Sequence, residues 1–378
     1  MKICFWGDIA GALNDKTSGG GELQIALLAR ALAKMGHEVV VLECESTEGF
    51  VTEEGIKVYP IPGWKKGIKM IRTLTHKLPQ LYLNLRDHKA DIYYCRIRNY
   101  RHVFAYLAAR KVNAKFILAL ASDLDILNFR TRWKYFYLTN LVKLWTFFEG
   151  LFSEIVYPML LRKSDYVFVQ HIGQKEILLR KNINSILFPN LIDLNEKPVI
   201  SNGLKNDFIY VGWLDKRKGF AEFFKLIEKA PLHSFKIIGP PRDKIGHFYY
   251  EKLKTFPNVS LLGELSHSET IYHIANSKAL ISTSPMEGFP NIFIEAWSFG
   301  IPVLSLYFDP GGIIKREDLG VVADGDLDKL LDAMNSIENT EEFAERAKTY
   351  VERNHVLNAE KIYEINRLLS EMVNQGKT

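Results

Sequence analysis

Glu287 and Glu295 stand with seven residues between them, in a stretch that runs from the apolar Ala279–Ser282 through Ser284, Pro285, Gly288, Phe289, Pro290 and Asn291 to the periodic Ile292, Phe293, Ala296, Trp297 and Phe299. The pattern is a buried strand, a Gly/Pro loop and a helix, with Asn291 expected as the helix N-cap and Gly300 and Pro302 closing the helix. An ionised carboxylate only accepts hydrogen bonds, so two of them suit the hydroxyls of a ribose or a hexose. The backbone N–H groups of the helix start between them suit a phosphate. Together they read as a sugar-nucleotide site. The same residues also fit an ordinary helix start, since Ser284-x-x-Glu287 has the form of a capping box and carboxylates complement a helix dipole.

A second anion cradle is predicted near the beginning of the chain. Gly19, Gly20 and Gly21 precede a helix expected over 22–35, between strands expected at 2–6 and 38–43. This is neither a G-x-G-x-x-G fingerprint nor a P-loop, and three glycines here also fit flexible packing. Asp123-x-Asp125 follows a strand expected at 116–120, at the strand end where doubly wound folds keep their sites. No third ligand at suitable spacing accompanies it, so no metal is expected.

These sites need elements to hold them, and the chain supplies two alternating series. The first has strands at 2–6, 38–43, 92–96, 115–120 and 165–170, an extended hairpin-like stretch at 51–60, and helices near 67–86, 100–110 and 174–180. After a polar stretch at 195–206, a second series begins with strands at 208–212, 235–238, 259–262, 279–282 and 303–306, and ends in helices beyond Asp326. Alternation of this kind implies mostly parallel α/β sheets. At 378 residues the chain exceeds what one core of about 250–300 residues holds, which implies two domains.

Composition narrows the partners. Residues 65–165 carry 19 Lys and Arg against 7 Asp and Glu, a net +12 where the whole chain is +5, so the rest is acidic. Such a face implies an anionic partner, and the lack of any nucleic-acid module leaves a lipid surface or a diphosphate-linked lipid. Within it, 129–161 mixes Arg130, Arg132, Lys134 and Lys143 with Trp133, Tyr135, Phe136, Tyr137, Trp145, Phe147 and Phe148. That mixture suits a bilayer interface and equally a core helix with a basic edge. Charges and Pro158 interrupt its apolar run, so no membrane-spanning helix is expected. Cys4, Cys44 and Cys95 lie in apolar runs without metal or redox spacing, and the apolar start of the chain is too short for a signal peptide; both fit a cytosolic protein.

Taken in order, the glycine loop, Pro189-Asn190-x-x-Asp193, Gly212-x-Leu214-x-x-x-Lys218-Gly219 and E-x(7)-E at Glu287/Glu295 resemble the retaining GT-B glycosyltransferases of the large family that includes sucrose synthases and bacterial mannosyltransferases. The resemblance implies two Rossmann-like doubly wound domains facing across a cleft: 1–194 binding the acceptor, 195–206 a linker, 207–356 binding the nucleotide sugar, and 357–378 a helix packing back on the first domain. It implies that Lys218 meets the diphosphate, Glu295 the ribose and Glu287 the donor sugar. Backbone groups of Gly288, Phe289, Pro290, Asn291 and Ile292 would hold sugar and phosphate oxygens, with Gly20 and Gly21 closing from the other side. Gly212 opens the second domain, and Gly263 and Leu265 belong to the loop that meets the base.

Trp213 stands where the family often has arginine, with Arg217 beside Lys218 as a possible substitute. The loop 121–125 offers Ser122 and Asp123 where a histidine is common, making Asp123 the acceptor-side candidate and leaving His102 and His171 as candidates only by elimination. The implied reaction is transfer of a hexose from a UDP- or GDP-linked donor to a glycan or polyprenyl-diphosphate-linked acceptor in surface polysaccharide synthesis. It would proceed with retention, without metal or cofactor, at the cytoplasmic face of a membrane. A non-catalytic sugar-nucleotide-binding subunit and a GT-B epimerase are the alternatives.

Overall fold

The structure, a computed structural model, describes residues 1–14, 19–44, 48–62, 64, 73–127, 144–194, 205–338 and 340–375. The first sheet contains β1 (Lys2–Trp6), β2 (Glu38–Glu43), β3 (Phe50–Val51), β4 (Lys57–Pro60), β5 (Ile92–Arg96), β6 (Lys115–Ala119), β7 (Tyr166–Val169) and β8 (Ile186–Leu187). Their order is β3-β4-β2-β1-β5-β6-β7-β8, parallel except for the β3/β4 hairpin. The second sheet contains β9 (Asp207–Val211), β10 (Ser234–Ile238), β11 (Val259–Gly263), β12 (Ala279–Ser282), β13 (Val303–Ser305) and β14 (Gly320–Val322), in the order β11-β10-β9-β12-β13-β14, all parallel.

Alternation along each strand explains why both faces of both sheets are covered. In β1, Cys4 and Trp6 join one core and Ile3 and Phe5 the other. In the second sheet, Phe208 and Tyr210 of β9 face one core and Ile209 the other. The expected α/β architecture of two doubly wound sheets therefore holds. Each sheet reverses its strand order once, at β1/β5 and at β9/β12, and open α/β sheets keep ligands beyond the carboxyl ends of the strands at such reversals. Here the two carboxyl edges face each other. The loop after β6 touches the loop after β12, with Asp123 N donating to Glu287 O at 2.9 Å.

The halves are tied again at the crossing strands of chain, where Ile192 N donates to His355 O (2.9 Å) and Leu357 N to Ile192 O (3.0 Å). Beyond that crossing, the helix Ala359–Asn374 buries Ile365, Leu369 and Met372, spaced along one helical face, against the first half. His37 Nε2 and Asn366 Oδ1 add a contact at 2.9 Å. Of the expected linker, 195–204 lies outside the described residues, as do 65–72 and 128–143 of the basic region. Elements not foreseen include the short helices Ala10–Leu13 and Ile313–Arg316, the helix Lys244–Leu253, and β14, whose three residues give too short an apolar run to read as a strand.

Candidate functional site

The helix Asn291–Ser298 follows β12 and carries the centre of the site. Its cap residue is Pro290, not Asn291 as expected, and no side chain caps the helix. Proline lacks an N–H and takes the extended backbone that an entering chain needs, so Asn291 becomes the first helical residue. The N–H groups of Asn291 and Ile292 have no acceptor within the helix, because the chain four residues earlier is loop. The asparagine side chain turns across the cleft instead: Nδ2 donates to Gly20 O at 3.1 Å, while Oδ1 accepts from Asn190 Nδ2 at 2.8 Å and Gln24 Nε2 at 3.2 Å.

Lys218 reaches Glu287 because of one glycine. Gly219 has φ +67°, and a Cβ there would lie 2.1 Å from Thr283 O, so only glycine lets the Lys218 turn press against the end of β12. Thr283 Oγ1 donates to Lys218 O (3.1 Å), and Asp215 Oδ1 accepts from Lys218 N (2.9 Å). The outcome is a contact of 2.5 Å between Lys218 Nζ and Glu287 Oε1. Arg217 turns to the buried Asp215, with Nη2 3.3 Å from Oδ2, so it does not join this pair. Trp213 is 40% exposed and carries Arg242 over its ring, 4.7 Å from the centroid. The two loops meet because Leu214 N donates to Pro240 O (3.2 Å) and Arg242 N to Leu214 O (3.1 Å).

Glu295 is buried one turn into the helix, with Oε1 3.2 Å from Nε2 of the half-exposed His267. Both border a cavity of about 260 Å³ between the halves, walled also by Leu23, Gln24, Asp193 and Asn291. Gly263 (φ +71°) and Leu265 lie at and just beyond the end of β11, outside that wall, and Gly263 O accepts from Gly239 N at 2.7 Å. Gly212, with φ +150°, follows β9, and its N–H donates to Ile238 O at 3.0 Å.

From the first half come the glycines and the Asp123 loop. Gly20 and Gly21 begin the helix Gly20–Lys34; Glu22 folds back onto Gly19 N, and Gly21 packs against Ile97. Asp123 Oδ1 accepts from Gln174 Nε2 (2.8 Å) and His171 Nε2 (3.0 Å), so His171 does reach the site, as a support for Asp123. Asp125 serves the loop: Oδ2 accepts from Ala121 N and Ser122 N, and burial holds its carboxyl above the usual value. His102 packs edge-on against Trp6 and bonds to Ile97 O at 2.6 Å, with burial pushing it down to about 4. Among the described residues no three His, Cys, Asp or Glu side chains cluster as a metal site, and no helix is long and apolar enough to cross a membrane.

Several residues of the site were not assigned from sequence. Asn190 had a motif but no role, Asp215 and His267 had no signal, and Gln24, Arg96 and Gln170 acquire meaning only through contacts with residues far away in sequence. Gly288 has a role beyond its amide: a Cβ there would lie 2.2 Å from Gln170 Oε1 and 2.4 Å from Ala121 O, so the halves meet on its bare Cα.

Comparison with known proteins gives two family matches that divide the chain as the sheets do. Residues 18–196 match Glycosyltransferase Family 4, and residues 193–354 match Glycosyl transferases group 1. The chain is similar to an uncharacterized glycosyltransferase of Methanocaldococcus jannaschii, 28% identical over 42% of this chain and 44% of the relative. One of Haemophilus influenzae is 24% identical over 79% of this chain and 80% of its own. Thus the chain spans under half of the first relative and most of the second. Among solved structures, a sucrose-phosphate synthase of Thermosynechococcus elongatus superposes with TM-score 0.77 at 15% identity, covering 99% of this chain and 100% of its own. HepE of Anabaena, solved with UDP and glucose, gives 0.67 at 13% identity, covering 99% of each chain.

Proposed function

We propose that this chain, which two glycosyltransferase families match from residue 18 to 354, is a GT-B glycosyltransferase that transfers a hexose from a UDP- or GDP-linked donor with retention of configuration. The acceptor we propose is a lipid-linked or oligosaccharide chain in surface polysaccharide synthesis. The observation that carries the reading is the Lys218–Glu287 contact at the start of an uncapped helix, bridged to the opposite half through Asp123 N and Glu287 O. The UDP and glucose in the similar HepE structure support a donor of that class.

In this reading the second half holds the donor. Glu295 takes the ribose hydroxyls, and Glu287 takes hexose hydroxyls. Lys218 and the amides of Asn291 and Ile292 receive the charge that grows on the leaving diphosphate, where preorganised donors lower the barrier. Asp123, held by His171 and Gln174, faces the sugar from the first half. The acceptor hydroxyl attacks on the face that the diphosphate leaves, and a leaving phosphate oxygen takes its proton. Protein side chains position the reactants without forming a covalent intermediate, and no metal enters.

The decisive measurement is nucleotide release from UDP-, GDP-, ADP- and dTDP-sugars, with and without polyprenyl-diphosphate sugars. Release that depends on the acceptor is expected for one donor; binding without release points to a recruiting subunit, and binding of none refutes the reading. We further propose that the basic first half rests on the cytoplasmic face of a membrane. The helix Leu144–Lys163 supports this by exposing Leu151, Phe152 and Ile155. Binding to anionic vesicles should weaken with salt and with Ile155→Ser; equal binding to neutral vesicles refutes it.

A further inference from the structure

We infer that Asn190 is a positioning residue for the transfer, which turns the fixed hydrogen-bond polarity of buried Arg96 into closure of the second half over the first. The inference rests on the reading of the cleft as a donor and acceptor site. Arg96 ends β5, at the strand-order reversal of the first sheet, and is 5% exposed. Its Nη2 donates to Asn190 Oδ1 at 2.7 Å, and Gln170 Nε2 donates to the same oxygen at 2.9 Å.

Arginine can only donate, so it fixes which end of the Asn190 amide faces it. The nitrogen must then face the second half, where it donates to Phe289 O at 2.7 Å and to Asn291 Oδ1 at 2.8 Å. That choice fixes the next amide as well. With its oxygen taken by Asn190 and Gln24, Asn291 has only its nitrogen left for the first half, and this donates to Gly20 O at 3.1 Å. Polarity therefore passes from Arg96 through Asn190 and Asn291 to Gly20, leaving the first half and returning to it. It ends by setting the two helix starts of the cleft against each other.

Burial makes the relay selective. Arg96, Asn190, Gln170 and Gln24 are all buried, and in such surroundings a reversed amide opposes lone pair to lone pair with little water to relieve it. The main chain of Asn190 is held too, since His355 Nδ1 donates to its carbonyl at 2.7 Å. What remains adjustable is whether the second half sits on the amide nitrogen.

Asn190→Asp isolates that step. The replacement keeps the shape and gives Arg96 a better acceptor, which favours folding of the first half. Its second oxygen, however, stands where the nitrogen stood and faces Phe289 O and Asn291 Oδ1. The expected result is a kcat at least about 100-fold lower, as for a displacement of about 1 Å at a reacting centre. The nucleotide Kd, set within the second half, should change less than about threefold. Small-angle scattering of the ligand-free variant should show a larger radius of gyration than wild type. Asn291→Asp, which opposes Gly20 O from the other half, should likewise lower kcat and raise the radius of gyration, so a folding defect in the first half cannot account for both; its nucleotide Kd is not a control, because Asn291 lines the donor cavity. Wild-type kcat or wild-type scattering in both variants overturns the inference, as does a kcat loss in Asn190→Asp matched by an equal loss of nucleotide affinity. Should wild type release nucleotide from no donor, the reading of the cleft fails separately, and the scattering comparison still decides the relay.

Discussion

Gly288→Ala is the sharpest probe of the closed cleft, because its effect can be worked out from distances. The added carbon would lie 2.2 Å from Gln170 Oε1 and 2.4 Å from Ala121 O, whereas ordinary contact begins at 3.4 Å. Gln170 is a side chain and can swing. Ala121 O belongs to the backbone just beyond β6 and cannot swing as a side chain does, so the halves must part by about 1 Å to regain van der Waals distance. Asp123 N to Glu287 O, now 2.9 Å, would then open beyond hydrogen-bond range. Gly288 does not have a left-handed backbone, so alanine adds bulk without backbone strain. A displacement of about 1 Å at a reacting centre costs on the order of 100-fold in rate, and that fall in kcat is expected. Nucleotide affinity, measured by titration calorimetry, should change less than about threefold, because the nucleotide contacts proposed for Glu295 and Lys218 lie in the second half. A kcat within about threefold of wild type would refute the reasoning that turnover needs this approach.

Lys218→Met should lower kcat about 100- to 1000-fold, as the loss of one electrostatic donor does, while Glu295→Ala should act mainly on nucleotide Kd, raising it at least about tenfold; calorimetry and steady-state kinetics separate the two, and a kcat effect alone at Glu295 would refute its ribose role. Arg242→Ala should weaken donor binding more than Arg217→Ala, since Arg217 is held by Asp215 while Arg242 lies on the exposed Trp213; the reverse order of Kd changes would refute this. Burial pushes His102 and His355 down from 6.5 to about 4, so between these values the unfolded chain is protonated and the folded one is not. Stability should therefore fall as pH drops from about 6.5 to about 4, by on the order of 3 kcal/mol for each group, with little further loss from them below that. Thermal melting across this range should show a shallower fall in His102→Gln, and an unchanged slope would refute the assignment.

Elements whose evidence is local were legible in the sequence. Lys2–Trp6, Glu38–Glu43 and Ala279–Ser282 are apolar runs of strand length bounded by turns, and the structure has strands over those same residues. Terminal Gly300 closes the site helix with φ +68°, the backbone for which glycine is the natural residue. The other end of that helix misled, because an asparagine before an apolar run has the chemistry of a cap. Its real partners, Gly20 and Asn190, are 271 and 101 positions away, and no local pattern encodes a hydrogen bond of that range. Arg217 illustrates the same limit from the other side. Its position beside Lys218 suggested a second cation for the diphosphate, but Asp215, two residues before it, draws it away. Spacing told which groups were present, and only packing decided which of them faced one another.

In the proposed reading, charge explains why the site is divided between two halves. A departing nucleoside diphosphate gathers negative charge, yet a lysine in contact with a glutamate is, as a pair, close to neutral. Lys218 can serve the diphosphate only when the hexose hydroxyls engage Glu287 and the phosphate engages the ammonium, so the substrate itself must separate the pair. Backbone adds to the positive potential, since each helix start supplies about half an elementary charge. One start is at Asn291, without a side-chain cap; the other is at Gly20, in the opposite half. An open cleft presents the donor with only the first. Closure on Gly288 and through Asn190 brings the second to bear, so the full field at the leaving group exists only in the geometry that also excludes water from it.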